Sequence, residues 1–298
     1  MTWEPSAAGI SFGIYPAPLA APFEALVARA RQAEAMGFDA LWVSDQTPMA
    51  YPGIIRLEAW SLLGALARET TRMRLGTLVS PAVLRHPLLL AMCVSTVDHA
   101  SGGRAVLGLG AGGDDADLAG LGLEGLRPAE LVDRLEEQLV TIDDLLRGQR
   151  VTREAGPDRT RDAFVEPPVQ RPRPPILVAA ESPRTLRLAA RRADVWNTQG
   201  GQPMAGDRLT LDEAVAFTRR RVELIEAACR DAGRDPSTLR RSVFAWRARA
   251  FASPDAFTEW VGRYRELGFT DFAFWWPRSA DGQAVLERVA AEVMPTLR

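Results

Sequence analysis

The chain has 298 residues, 47% of them hydrophobic, with 36 basic and 38 acidic residues, a net charge of -2 and a pI near 5.9. That balance gives no electrostatic reason to expect nucleic acid as a partner, and the length suits either two domains or one α/β barrel of about 250 residues. All 36 basic residues are arginine; GC-rich codon usage explains this most simply, and it removes lysine Schiff-base and lysine general-base chemistry.

Cys93 and Cys229 sit inside helical patterns as small hydrophobes, so no disulfide framework follows. Two histidines, His86 and His99, without CxxC or HExxH spacing, leave no multi-histidine metal site. The first residues lack a basic start with an apolar core, and no run of about 18 apolar residues occurs later. A soluble, cytoplasmic protein without a membrane partner is expected.

In chain order, Ile10 to Tyr15 reads as a strand closed by Pro16 and Pro18. Phe23, Leu26, Val27, Ala30 and Ala33 mark a helix face from Pro22 to Met36, with Gly37 as its C-terminal stop. Phe38 to Ser44 is the second strand, followed by Asp45-Gln46 and a loop with Pro48, Pro52 and Gly53. A helix from Glu58 to Thr70 leads to the stretch around which the chain is organised. There Arg74 to Ser80 is a strand, Leu88 to Val97 a helix stopped by Ser101-Gly102-Gly103, and Ala105 to Leu109 a strand. Gly110, Gly112 and Gly113 follow, where a backbone could lie close against a ligand.

Pro128 to Leu146 is the clearest helix, with Leu131, Leu135, Leu139, Ile142 and Leu146 on one stripe. Gln149 to Pro175 is rich in proline and charge and reads as a lid or a disordered loop. Ile176 to Ala180 is the fifth strand, and Ser182-Pro183 opens a helix in the N-cap pattern. Val195 to Thr198 is the sixth strand, followed by a glycine-containing loop to Arg208 and a helix over Leu209 to Ala232. Ser242 to Phe251 alternates as a seventh strand, and Ser253-Pro254-Asp255 opens another helix. Phe269 to Trp276 is the eighth strand, and Gln283 to Met294 the final helix. Eight strand-helix units predict an α/β fold: one (β/α)₈ TIM barrel over residues 1–298, with an insertion after the fourth helix at 149–175. An open doubly wound sheet is the alternative.

In a barrel, function sits at the carboxyl ends of the strands. The candidates there are Tyr15, Asp45, Gln46, Ser80, His86, Gly110 to Asp115, Glu181 to Thr185, Asn197 to Gly201, Trp275 and Trp276. Asp45 is a candidate acid, base or hydrogen-bond acceptor, or else a loop cap. His86 is a candidate proton donor or a residue that orients a helix start. The helix opening at Ser182 offers free N–H groups, a positive dipole end and the donors of Ser182, Arg184 and Thr185 to a phosphate, or is a plain N-cap. GLGAGG is a weak dinucleotide signal without the expected acidic residue about 20 positions on. Trp275 and Trp276 could wall a planar ligand or fill the barrel mouth. Asp98-His99, at a helix end away from that face, read as structural.

The order LWVSDQ, RLGTLVSPAVLRHP, STVDHASGGRAVLGLGAGG, ILVAAESPRTLRLAARRADVWN resembles the bacterial-luciferase-like superfamily of flavin- and deazaflavin-dependent oxidoreductases over about residues 10 to 295. The resemblance implies a (β/α)₈ barrel with an insertion matching 149–175, and a cofactor ring across the barrel mouth, against a non-prolyl cis peptide near Leu78-Val79. The residues placed to act in catalysis are Asp45, Gln46 and His86. Cofactor contacts would come from Asp45, Thr77, Leu78, Val79, Gly110, Ala111, Gly112, Ala180, Glu181, Ser182, Arg184 and Thr185.

Ser-Asp after the second strand is similar to the branch that uses F420, although Gln46 stands where histidine is usual. Glu181-Ser182 and Thr185 resemble the phosphate loop of true luciferases, whose arginine after the fourth strand is here Ala111. The implied activity is hydride transfer with a small organic substrate on F420. An FMN-dependent monooxygenase using O2 and a flavin-binding protein without turnover are the alternatives. A homodimer is implied, and no metal.

Overall fold

The computed structural model describes residues 9–16, 21–50, 57–112, 115–203, 207–246 and 250–298. Pro18, the loop residues Pro52 and Gly53, and Gly113 with Asp114 lie outside the described residues.

Parallel strands alternate with helices along the chain: β1 (Ser11–Tyr15), α1 (Phe23–Ala35), β2 (Ala40–Val43), α2 (Ala59–Glu69), β3 (Arg74–Thr77), β4 (Ser80–Pro81), α3 (Pro87–Ser101) and β5 (Ala105–Gly110). They continue as α4 (Asp115–Gly120), α5 (Pro128–Leu146), β6 (Val151–Arg153), β7 (Thr160–Ala163), β8 (Ile176–Ala179), α6 (Pro183–Arg192), β9 (Val195–Thr198) and α7 (Leu211–Asp231). The last are β10 (Arg240–Phe244), α8 (Pro254–Arg265), β11 (Asp271–Trp275) and α9 (Ala280–Arg288). Neighbouring strands follow the order β3-β2-β1-β11-β10-β9-β8-β5-β4, and β3 also pairs with β5; β3 and β4, which pair with successive parts of β5, share one strand position, so the nine segments make the expected eight-stranded barrel. Among the described residues no helix is long and apolar enough to cross a membrane.

The contacts divide the chain into two compact units, residues 43–179 and residues 9–42 with 180–298. In the first, β5 is buried along its whole length and pairs with β3 through Leu75–Ala105 and Gly76–Val106, with β4 through Ser80–Leu109, and with β8 through Leu107–Ile176. A strand buried on both faces needs a near-continuous apolar run, and AVLGLG is one. The stripe of α5 packs as its spacing predicts, with Leu135, Leu139, Ile142 and Leu146 all buried. In the second unit β1 pairs with β11 from Ser11–Asp271 to Tyr15–Trp275, and β10 pairs with β9 and β11. Its core is aromatic: Phe12, Phe257, Phe272 and Phe274 lie with ring centroids 5.0–6.0 Å apart.

Several elements depart from the sequence reading. The strand expected over Arg74 to Ser80 is divided into β3 and β4, and α4 is a short helix where none was expected. The seventh strand, expected over Ser242 to Phe251, runs from Arg240 to Phe244, and Ala250–Ala252 is a helical turn. The final helix, expected over Gln283 to Met294, starts at Ala280 with Ser279 as its cap, and Val289–Val293 forms a wider turn before a last helical turn at Met294–Leu297. The segment 149–175, read as a loop, holds the antiparallel hairpin β6–β7, in which Val151 pairs with Ala163 and Arg153 with Thr160. After it, Glu166 to Arg173 is anchored to α3 and α5. Ser95 donates to the Glu166 carbonyl at 2.6 Å, His99 Nε2 lies 3.0 Å from the Pro167 carbonyl, and Arg173 pairs with Asp143. Asp98 accepts from the Ala105 and Gln170 amides and from Gln170 Nε2, so its structural role is as expected.

Candidate functional site

In the first unit the carboxyl ends of β3, β4 and β5 carry a buried hydrogen-bonded network and a small, partly exposed apolar ledge. Asp45 is 3% exposed. Its carboxylate accepts from Ser80 Oγ at 2.5 Å, from Arg85 NH1 at 2.5 Å and from Arg85 NH2 at 3.0 Å. Trp60 Nε1 donates to the same Ser80 hydroxyl at 3.2 Å, and Thr77 Oγ1 donates to the Gly108 carbonyl at 3.0 Å. Arg85 NH2 also bonds Glu58, whose carboxylate caps α2 through the amides of Trp60 and Ser61. Burial pushes the Asp45 carboxyl up, and the hydrogen bonds and charge of Arg85 with the Ser80 hydroxyl pull it down without cancelling that rise. Glu58 also feels burial, but its bonds to Ser61 and Trp60 and the charge of Arg85 outweigh it and hold the carboxyl low.

A non-prolyl cis peptide joins Leu78 to Val79, at the position the resemblance implies. Leu78 is buried, while Val79, next to the sealed Ser80, and Ala111 and Gly112, just past the end of β5, keep exposed surface. The glycines of β5 have a packing reason of their own. A Cβ at Gly108 would stand 2.0 Å from the Thr77 carbonyl, and one at Gly110 would stand 2.7 Å from Val79 Cγ2. The space beside these two is filled by protein, because the cis-linked segment lies directly against β5; Gly112 meets only Leu131 Cδ1, at 3.3 Å.

His86 is the N-cap of α3: its Nδ1 accepts from the Leu88 amide at 3.2 Å, so Nε2 is the donor facing the Arg159 carbonyl 3.1 Å away in the hairpin turn. Both ring nitrogens are engaged in orienting backbone. Gln46 Oε1 accepts from Ser44 Oγ at 3.0 Å.

In the second unit the start of α6 is a closed turn. Ser182 Oγ accepts from the Thr185 amide at 3.3 Å, and Thr185 Oγ1 accepts from the amides of Glu181 and Ser182 at 3.2 and 3.1 Å. Ala180 is buried, Ser182 exposed and Arg184 half-buried. Glu181 bonds Thr198 Oγ1 and the Gln199 amide, each at 2.8 Å, and forms an ion pair with Arg221 Nε at 2.5 Å that lacks hydrogen-bond geometry. Asn197 Nδ2 donates to Ser242 Oγ at 2.9 Å. Tyr15, Phe244, Trp246 and Trp275 cluster at the ends of β1, β10 and β11, with centroids 4.3 Å apart for Tyr15–Trp275 and 5.0 Å for Tyr15–Phe244. Trp275 retains exposure and Trp276 is buried.

Sequence reasoning missed Arg85, Glu58, Gln138 and Arg221. Arg85 stands next to His86 in the quoted RHP run; a lone arginine beside a strand end was the available signal. Gln138 interrupts the apolar stripe of α5 at 1% exposure, where its Nε2 donates to the carbonyls of Ala82 at 2.5 Å and Arg85 at 2.7 Å.

A family model described as luciferase-like monooxygenase matches residues 9–265. An F420-dependent glucose-6-phosphate dehydrogenase of Beutenbergia cavernae is 31% identical, covering 89% of this chain and 91% of that one. A phthiodiolone/phenolphthiodiolone dimycocerosates ketoreductase of Mycobacterium bovis is 32% identical over 72% of this chain and 58% of its own length. Among solved structures, an F420-dependent secondary alcohol dehydrogenase in complex with an F420-acetone adduct superposes with a TM-score of 0.81 at 17% identity, covering 97% and 99% of the two chains. The FMN complex of a type II Baeyer-Villiger monooxygenase component from Pseudomonas putida superposes with a TM-score of 0.74 at 18% identity, covering 96% and 98%. At those identities the structures speak for the fold alone.

Proposed function

The chain belongs to the family of luciferase-like monooxygenases, and from that premise we propose that it is an oxidoreductase that uses F420 to move a hydride to or from a small organic substrate. The observation that carries this reading is the partly exposed ledge of Val79, Ala111 and Gly112 at the ends of the strands that carry the buried Asp45–Ser80–Arg85 network. A planar ring of mixed polarity needs such a surface, apolar under its face with few, fixed hydrogen-bonding groups. The relatives at 30% identity or more whose names specify F420 favour that cofactor over FMN.

When bound, the deazaflavin supplies two-electron hydride chemistry. The chain's own residues supply position. Val79, Ala111 and Gly112 face the ring, with Thr77, Leu78 and Gly110 as the packed backbone that supports them, and Asp45 orients the ring or its proton donor. Ser182, Arg184 and Thr185 hold the cofactor phosphate at the start of α6, where a helix N-terminus and a guanidinium combine. Gln46 and His86 act through the loops they pin. The hairpin segment 149–175 serves as a lid over the substrate, with any movement confined to its turn at 154–159, since residues 166–173 are tied to α3 and α5. The same reading has the protein acting as a homodimer in the cytoplasm.

An FMN-dependent monooxygenase is the second reading, favoured by the resemblance of the Glu181–Thr185 turn to a luciferase phosphate loop and by FMN-bound neighbours of the same fold. The test is a fluorescence titration with F420 and FMN, followed by reoxidation of each reduced cofactor with and without oxygen. Tighter binding of F420 and oxygen-independent, substrate-dependent reoxidation are expected. Tighter FMN binding with oxygen consumption would refute the F420 reading, and binding without substrate- or oxygen-dependent turnover would leave a flavin-binding protein.

A further inference from the structure

We propose that Arg85 is a positioning residue, holding the Asp45 carboxylate in one orientation and one charge state at the strand ends that carry the Val79 ledge, and that Glu58 sets how firmly it does so. The inference rests on the reading of that ledge as the cofactor surface.

Arg85 is placed from several sides. Its guanidinium grips both oxygens of Asp45, the fork geometry that only arginine offers a carboxylate, and its NH2 is shared with Glu58. Its backbone carbonyl is held at 2.7 Å by Gln138 of α5, so the base of the side chain is fixed as well as its tip. Exposure is graded across the triad: the Asp45 side chain is 4% exposed, Arg85 18% and Glu58 47%. One positive charge therefore serves two carboxylates, one sealed and one facing water. Water can solvate Glu58 without Arg85; it cannot reach Asp45 to do the same. The groups facing Asp45 are Arg85 from the loop before α3, Glu58 from the start of α2, the neutral donor Ser80 and, farther off, Cys93 of α3, whose thiol burial keeps protonated.

The two neighbours act in opposite senses. Without Arg85 the sealed carboxylate loses its counter-charge and protonates at higher pH. Without the Glu58 charge, Arg85 answers to Asp45 alone, and the carboxylate persists to lower pH.

The experiment compares wild type with Arg85→Met, Arg85→Lys, Glu58→Gln and Asp45→Asn by two measurements across pH: urea unfolding of the cofactor-free protein, and F420 binding with kcat/KM. In Arg85→Met the acid limb of binding should move up by about 1–3 pH units, the span an adjacent arginine moves an aspartate. Arg85→Lys should recover part of it, and Glu58→Gln should move the limb down. In the cofactor-free protein, stability should fall more steeply with rising pH in Arg85→Met; Glu58→Gln is read from the binding limb, because removing Glu58 also removes a carboxyl held low in the folded state, whose own contribution to the unfolding profile runs the other way. A folded Arg85→Met with both profiles unmoved overturns the inference. Should that variant fail to fold, an unmoved Glu58→Gln binding limb overturns it. If Asp45→Asn binds and turns over as wild type, the reading of the ledge as cofactor surface is what fails. If Asp45→Asn impairs both while the Arg85 variants impair neither, only the positioning role fails.

Discussion

Replacing Gln138 by glutamate tests whether α5 holds the loop that carries Arg85. Gln138 is 1% exposed, and its amide N–H groups meet two carbonyl oxygens at 2.5 and 2.7 Å. A carboxylate there would face those oxygens with no counter-charge, so the folded protein takes up the acid form, with one O–H in place of two N–H donors. Even protonated, the variant loses one bond to a buried carbonyl, which costs about 1–3 kcal/mol. Beyond that, the folded-state pKa of the new carboxyl is raised above the unfolded value of about 4.3. Between those two pH values the folded state binds more protons than the unfolded state, so stability is lost as pH rises, by about 1.4 kcal/mol per unit. From pH 4 to pH 7 the additional loss is about 3–4 kcal/mol relative to wild type. Urea unfolding at a series of pH values measures it. A Gln138→Glu profile running parallel to wild type would show that the site is wetter or looser than its geometry says.

Arg104 donates to the carbonyls of Ser101, Met73, Ala67 and Thr70 and to the Thr70 hydroxyl, tying the ends of α2 and α3 to the start of β3. Arg104→Ala should therefore lower the unfolding free energy by about 2–4 kcal/mol with an unchanged urea m-value, and a loss under about 1 kcal/mol would mean that water replaces the guanidinium. Arg184→Ala should weaken binding of the phosphate-bearing cofactor by about 1.5–3 kcal/mol in a calorimetric titration, and unchanged affinity would remove Arg184 from that role. Limited proteolysis should cut the 154–159 turn, more slowly when cofactor and substrate are both present; equal rates would make the hairpin a passive connection.

Local pattern was enough wherever one element buries one face. The stripe on α5 set its limits at Pro128 and Leu146, and VWNT at 195–198 is a strand in both readings. Alternation of strand and helix pointed to the barrel for the same reason: buried parallel strands must be apolar runs and their connections must be amphipathic. The RLGTLVS–GLGAGG region and the Ser-Asp pair identified the family, because those residue types answer to a specific backbone geometry.

The hairpin β6–β7 was invisible by the same logic. Its strands, VTR and TRDA, are short and polar, and they exist because they pair with each other and lean on α5, where Arg153 meets Asp144. The end of β10 at Phe244 was equally non-local: β9, its partner on one side, ends at Thr198 opposite Val243, and the pairing with β11 stops at Ala273 although β11 runs on to Trp275. The sequence marked Gly110 as a place where a backbone could lie close against a ligand; only the fold shows that Val79 is pressed against it, and Thr77 against Gly108. Asp45 and Arg85 are 40 positions apart and Glu58 and Arg85 are 27 apart. A sequence presents each as a separate charge on a separate loop. Their joint property, a sealed carboxylate held by a guanidinium that is itself shared, arises only when strand ends from different parts of the chain are brought to one face, because desolvation and Coulomb attraction depend on distances in space and not along the chain.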